Sequence, residues 1–262
     1  MSRPGGNSQR RRKRAHDRRA ALAARRTARH KSLFAGLHVR RLVTLERFGP
    51  GIDWRARYPI PAGQQGDCQS CSAFAIAAAV ALQSRINGKA LPISPGYLHT
   101  CLGHAGQRDD KTVCDGAIDL GQLLDMLKKT GWATEADPNK HPYPPAACRV
   151  GGAVERLRSY TLIRSEREAK AALDRGPLVA VMSVRDRFFS FKGRLYRSLP
   201  TLHDTLHSVC VTGFNRDGWI ILNSCGADWG DQTGATTIGY GACGLLDFGP
   251  GGQALQAYAI GL

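Results

Sequence analysis

From Ser72 to Ile86 the chain runs without Gly or Pro and is apolar on nearly every side. A helix with one apolar stripe can lie on a surface, but a helix apolar all round must be enclosed. The stretch therefore predicts a buried helix, halted by Asn87-Gly88, and the remaining chain has to cover it. With 262 residues, 42% of them hydrophobic, there is enough material for such a core.

Two further helices are expected. Leu120–Lys129 is amphipathic and closed by Gly131, and Glu166–Arg175 is closed by Gly176-Pro177. After Pro177 the texture changes. Leu178–Val184, Arg194–Tyr196, Ser208–Phe214, Trp219–Asn223 and Thr236–Tyr240 are short, rich in β-branched and aromatic residues, and separated by Gly, Asn and Asp. Helices followed by strands predict an α+β fold with two segregated lobes. No window approaches eighteen consecutive apolar residues, so no membrane-spanning helix is expected. The apolar content excludes wholesale disorder, and the lack of a repeat or sustained heptad excludes collagen-like and coiled-coil structures.

The net charge of +16 suggests a nucleic-acid binder until it is localised. Residues 1–47 hold 15 Lys or Arg against Asp17 and Glu46, a net of +13, which leaves only +3 for residues 48–262. The basicity belongs to an N-terminal arm, expected to be disordered or weakly helical around Arg18–Phe34, with polyanions (nucleic acid or an anionic membrane surface) as candidate partners. The arm has no apolar run of seven or more residues, so it does not read as a standard secretory signal.

A cysteine that attacks carbonyl carbons must be a thiolate near neutral pH, although a free thiol has a pKa of roughly 8.5. A helix N-terminus and a neighbouring imidazolium both lower it. Cys71 stands at the first turn of the predicted buried helix, and Gln65, in a Gly-bounded loop upstream, could donate to a developing oxyanion. His207 falls in the segment Leu206–Val211, where it could pair with the thiolate. Asn223 closes the next strand and could orient the imidazole.

The segment Gln65-Gly66-Asp67-Cys68-Gln69-Ser70-Cys71-Ser72-Ala73-Phe74 resembles the nucleophile segment of papain-family cysteine peptidases. In that family His and Asn follow some 130–150 residues downstream, and here His207 and Asn223 lie 136 and 152 residues after Cys71. Asp53-Trp54-Arg55, Gly176–Val181, Asn223–Gly230 and Ala242–Leu245 resemble further blocks of the family in the same order, so the likeness covers roughly residues 50–262. It implies a papain-like two-lobed fold: a helical lobe at about 60–160 carrying the nucleophile helix, and an antiparallel, β-barrel-like lobe at about 161–262, with a cleft between them.

The resemblance also implies roles. Cys71 would be the nucleophile, His207 the general base and acid, and Asn223 the orienting amide, while Gln65 and the Cys71 N–H would form the oxyanion hole. Cys68 would pair with Cys114 and Cys101 with Cys148, which favours a secreted or extracytoplasmic setting. Gly116, Ala117, Ile118, Val181, Thr205 and Ser208 match substrate-lining positions, with Phe248, or Asp247 one residue earlier, at the pocket floor. Protein or peptide substrates are implied, and no cofactor. A zinc site at Cys101, His104 and Cys114 lacks a paired-ligand spacing.

Three departures from the family pattern stand out. Ser72 replaces an aromatic residue, Leu206 replaces a polar one, and Cys225 stands where a Trp shields the Asn–His hydrogen bond. Loss of that shield is expected to weaken the bond and slow the chemistry. Cys210, Cys225 and Cys243 have no assigned partner, and are expected either as buried thiols or in a nonstandard bridge. The same nucleophile could serve acyl transfer or deamidation, and a noncatalytic binding module would share the fold.

Overall fold

The structure is a computed structural model that describes residues 51–106, 110–149, 152–248 and 255–262. The basic arm, the helix expected around Arg18–Phe34 and the polyanion partner proposed for them lie outside the described residues.

The apolar run folds as a helix, α1 (Cys71–Ile86), and ends where Gly88 takes a positive φ of 71°. Ala73, Ile76, Ala79, Val80 and Leu82 on this helix are completely or almost completely buried. α2 (Leu120–Lys129) starts from Asp119, whose carboxylate accepts from the N–H groups of Gly121 and Gln122, and buries Leu120, Leu123, Leu124 and Leu127. Short helical turns at Pro95–Tyr97, Leu98–Gly103 and Asp110–Val113 link the two. α3 (Glu166–Leu173) is capped by the Ser165 hydroxyl on the Glu168 N–H.

Ten strands are described: β1 (Ile52–Asp53), β2 (Trp132–Ala133), β3 (Val154–Glu155), β4 (Ser159–Leu162), β5 (Leu178–Val184), β6 (Leu195–Tyr196), β7 (Thr205–Phe214), β8 (Gly218–Leu222), β9 (Ala235–Gly239) and β10 (Ala257–Gly261). One sheet runs β4-β10-β5-β7-β8-β9-β6, with β1 also paired to β7; β2 and β3 pair separately. The main sheet is antiparallel except where β6 pairs with β9.

Both faces of the central strands are covered, and period-two alternation divides their side chains. Leu178, Ala180, Met182 and Val184 on β5, with Val209 and Val211 on β7, join a core that includes α3, Phe188, Trp219 and Trp229. Val179 and Cys210 point the other way, into the core built around α1 and α2. α1 therefore packs directly on the sheet, and the lobes are less segregated than the order of elements suggests. Inside the sheet core the Lys170 ammonium lies 5.0–5.7 Å from the rings of Phe214, Trp219 and Tyr240 and bonds Glu166 at 2.6 Å.

Both expected disulfides are present, Cys68–Cys114 and Cys101–Cys148. Cys71, Cys210, Cys225 and Cys243 are not in disulfides; Cys210 and Cys243 are buried as expected, whereas Cys225 is only partly so. Because Cys101 and Cys114 have separate disulfide partners, the zinc reading of Cys101, His104 and Cys114 fails. No helix among the described residues is long and apolar enough to cross a membrane.

Candidate active site

Three segments converge at the head of α1. The first is the loop that delivers Cys71, the opening residue of the helix. Cys68 anchors it through the disulfide to Cys114, and the Gln65 side chain braces it by donating from Nε2 to the Cys68 carbonyl at 2.8 Å. Gly63 lies so close to the Phe74 ring that a Cβ there would come within 2.4 Å of it. Here the absence of a side chain is a packing requirement.

The second segment is the start of β7. His207 is 3% exposed. Its ring meets the edges of Phe188 and Phe189, with centroids 5.7 and 5.3 Å away. The third is the turn after β8, which carries Asn223, also 3% exposed. This turn is tied to the loop before Cys71 at several points. The Gln65 N–H donates to the Ser224 carbonyl at 2.9 Å and the Gly226 N–H to the Gly63 carbonyl at 2.8 Å, while the Ser224 hydroxyl donates to Gln65 Oε1 at 2.5 Å.

The polar side chains form a series. Asn223 Oδ1 lies 2.7 Å from His207 Nε2. An amide oxygen can only accept, so Nε2 carries the proton. That leaves Nδ1 for the Cys71 thiol, to which His207 is hydrogen-bonded. Burial pushes the Cys71 thiol up, but the His207 hydrogen bond and charge, with the Ser208 backbone and hydroxyl, more than offset this and bring it from 9.0 down to about 7. Burial pushes His207 down, and its bonds to Cys71 and Asn223 and the charge of Cys71 raise it overall. Each partner thus favours the ionised form of the other. Elsewhere in the protein burial drives thiols the opposite way, Cys225 to about 11 and Cys210 to about 12.

The expectation that the Asn–His bond would suffer from water is not met. Both residues are buried, and Phe188 and Phe189 supply apolar cover to the His207 ring from a short helix, Asp186–Phe189. The Trp229 indole N–H holds that helix by donating to the Phe188 carbonyl at 2.7 Å. Nothing in the spacing of the sequence linked these rings to His207. Ser72 also does more than vacate the place of an aromatic residue. Its hydroxyl donates to the Ile118 carbonyl at 2.9 Å and lies 3.1 Å from the Ser208 hydroxyl, joining three segments around Cys71.

The remaining sequence-derived positions divide. Ile118 and Ser208 meet through Ser72, and Val181 is the strand partner of Ser208, so these three share the neighbourhood of the thiol. Gly116 and Ala117 lead into Ile118, and a Cβ on Gly116 would lie 2.8 Å from His104 Nε2. Thr205 is exposed at the end of the β5–β7 ladder, with its hydroxyl on the Val184 carbonyl at 3.3 Å. Phe248 packs partly buried against the sheet core. Among the described residues no group of three or more His, Cys, Asp or Glu side chains is placed to hold a metal ion.

A family model described as papain family cysteine protease matches residues 49–246 of the chain. The chain belongs to this family. A cathepsin L-like proteinase of Phaedon cochleariae is 32% identical over 195 residues, covering 69% of this chain and 57% of the relative. Cathepsin R of Mus musculus is 30% identical over 197 residues, covering 68% and 57%. The chain thus spans a little over half the length of these curated relatives. Among solved structures, a Carica candamarcensis cysteine protease in complex with E-64 superposes with a TM-score of 0.65 at 22% identity, covering 82% of this chain and 99% of that one. Digestive procathepsin L 3 of Tenebrio molitor gives 0.67 at 20% identity, covering 100% of this chain and 95% of the other. At these identities the structures speak for the fold, which is the papain-like α+β fold that the sequence led us to expect.

Proposed function

We propose that this papain-family chain is a cysteine peptidase that hydrolyses peptide bonds in proteins or peptides through Cys71, His207 and Asn223. The observation that carries the reading is the hydrogen-bonded series from the Cys71 thiol through the buried imidazole to the Asn223 amide oxygen. A thiol lowered to about 7 beside a raised imidazole favours the thiolate–imidazolium pair within reach of neutral pH.

The thiolate attacks the peptide carbonyl carbon, and the carbonyl oxygen takes up the charge. One Gln65 Nε2 hydrogen is committed to the Cys68 carbonyl. The second, with the N–H of Cys71 at the helix N-terminus, is available to that oxyanion. His207 gives its Nδ1 proton to the leaving amine as the C–N bond breaks, which leaves a thioester on Cys71. Water, deprotonated by His207, then attacks the thioester; the acid leaves and the thiolate is restored. Asn223 keeps the ring edge-on to the thiol through both steps.

Incubation with E-64, the compound bound in the Carica structure, followed by mass mapping, tests the assignment. A single adduct on Cys71 is expected, along with complete loss of peptide turnover in Cys71→Ala at an unchanged melting temperature. An adduct on another cysteine, or wild-type turnover in Cys71→Ala, would overturn it.

A further inference from the structure

The Asn223 amide can present either of two faces to His207. Rotated by half a turn, it would set an NH2 group against the protonated Nε2, donor against donor, and the orienting bond would be lost. Something must therefore select the orientation in which Oδ1 faces the ring. On the far side of the amide, Asn223 Nδ2 donates to Cys225 Sγ at 3.1 Å. The sulfur is not free to drift. Its residue pairs with Gln64 in an isolated antiparallel bridge, and the next residue, Gly226, turns with a positive φ of 82° while its N–H bonds the Gly63 carbonyl at 2.8 Å.

We propose that Cys225 is a positioning residue, whose sulfur accepts from the Asn223 amide and so fixes its oxygen on His207. Thiols are weak acceptors in water, but the Asn223 amide is buried, and there an unanswered N–H is costly. Burial holds the Cys225 thiol itself neutral, with its pKa at about 11, so it adds no charge that would compete for the imidazolium. At this amide the chain thus has a sulfur with a directional role. The inference rests on the Cys71–His207–Asn223 reading given above.

The test measures kcat and KM against pH for the full chain and for Cys225→Ala, Cys225→Val and Cys225→Ser on a peptide substrate. Val lacks an acceptor while filling at least the space of the Cys side chain, and it replaces the Ala variant should that one not fold. Both apolar variants are expected to lower kcat roughly three- to tenfold, the worth of one modest hydrogen bond, at unchanged KM. Their alkaline limb should move to lower pH, because the Asn223 bond is one of the causes that raise His207. Ser, whose hydroxyl can accept from Nδ2, should recover most of both effects. In an Asn223→Ala background, Cys225→Val should cause no further loss. Wild-type kcat and pH profile in the apolar variants, or the same loss with and without Asn223, would overturn the inference while leaving the peptidase reading intact. Absence of thiol-dependent turnover in the wild-type chain would instead remove the reading beneath it.

Discussion

The region around α1 and α2 and the region around β5 and β7 hold their shape by different means. Between Ile86 and Leu120 the described residues make only short helical turns, and here both disulfides act, closing segments of 46 and 47 residues. In the sheet, β5 and β7 are paired from Leu178↔Val211 to Val184↔Thr205, and the cysteines on and beside these strands are not in disulfides. Where backbone ladders are sparse, covalent closure limits the freedom of the unfolded chain; where the ladder is continuous, hydrogen bonds and burial on both faces suffice. The proposed active site draws on both regions. Cys71 comes from the stapled side and His207 from the laddered side.

The largest effect should come from cutting the link between the two. His207→Ala removes the sheet's contribution to the site and is expected to lower kcat/KM roughly a thousandfold. The alkylation profile of Cys71 checks this independently. In the wild type its reactivity should rise as pH passes through about 7, with Cys210 and Cys225 silent in that range because burial holds them near 12 and 11. In the variant the rise should move to higher pH, because burial is then opposed only by the Ser208 backbone and hydroxyl. An unmoved profile would show that His207 is not what lowers it.

Next come the staples. Replacing Cys101 and Cys148 together with Ser should cost about 3–4 kcal/mol of stability, as expected for a loop of that length, with turnover of the folded protein retained. The same change at Cys68 and Cys114 should also reduce turnover, because Cys68 braces the loop that holds Gln65 and Cys71. Denaturant melts paired with kinetics separate the two disulfides. On the sheet side, Lys170→Ala strips a buried cation from three rings and leaves Glu166 unpaired, for about 2 kcal/mol, seen as a lower melting temperature with activity kept. The smallest effect is expected for Phe189→Ala, since the ring is 43% exposed. It should cost about 1 kcal/mol as one lost aromatic contact, accompanied by a modest drop in kcat as water reaches His207.

Strong local patterns were read correctly from the sequence. The apolar run gave α1, the amphipathic spacing gave α2, and Leu178–Val184 emerged as β5 without a shift. β4 and β10 escaped notice. They are short, and their pairing with each other joins residues about a hundred positions apart, as in Tyr160↔Ile260. A local reading has no access to such a partner.

The site divides in the same way. Cys71, His207, Asn223 and Gln65 could be proposed from residue type and order along the chain, and the two disulfide pairs, both present, were implied by the family resemblance. The tertiary structure decided which nitrogen of His207 meets Asn223, that Phe189 rather than a tryptophan covers the ring, that Ser72 bridges Ile118 and Ser208, and that Cys225 answers the Asn223 amide. The physical reason is direction. Hydrogen bonds and ring contacts depend on which way a side chain points once distant segments have packed together, and residue order alone does not carry that information.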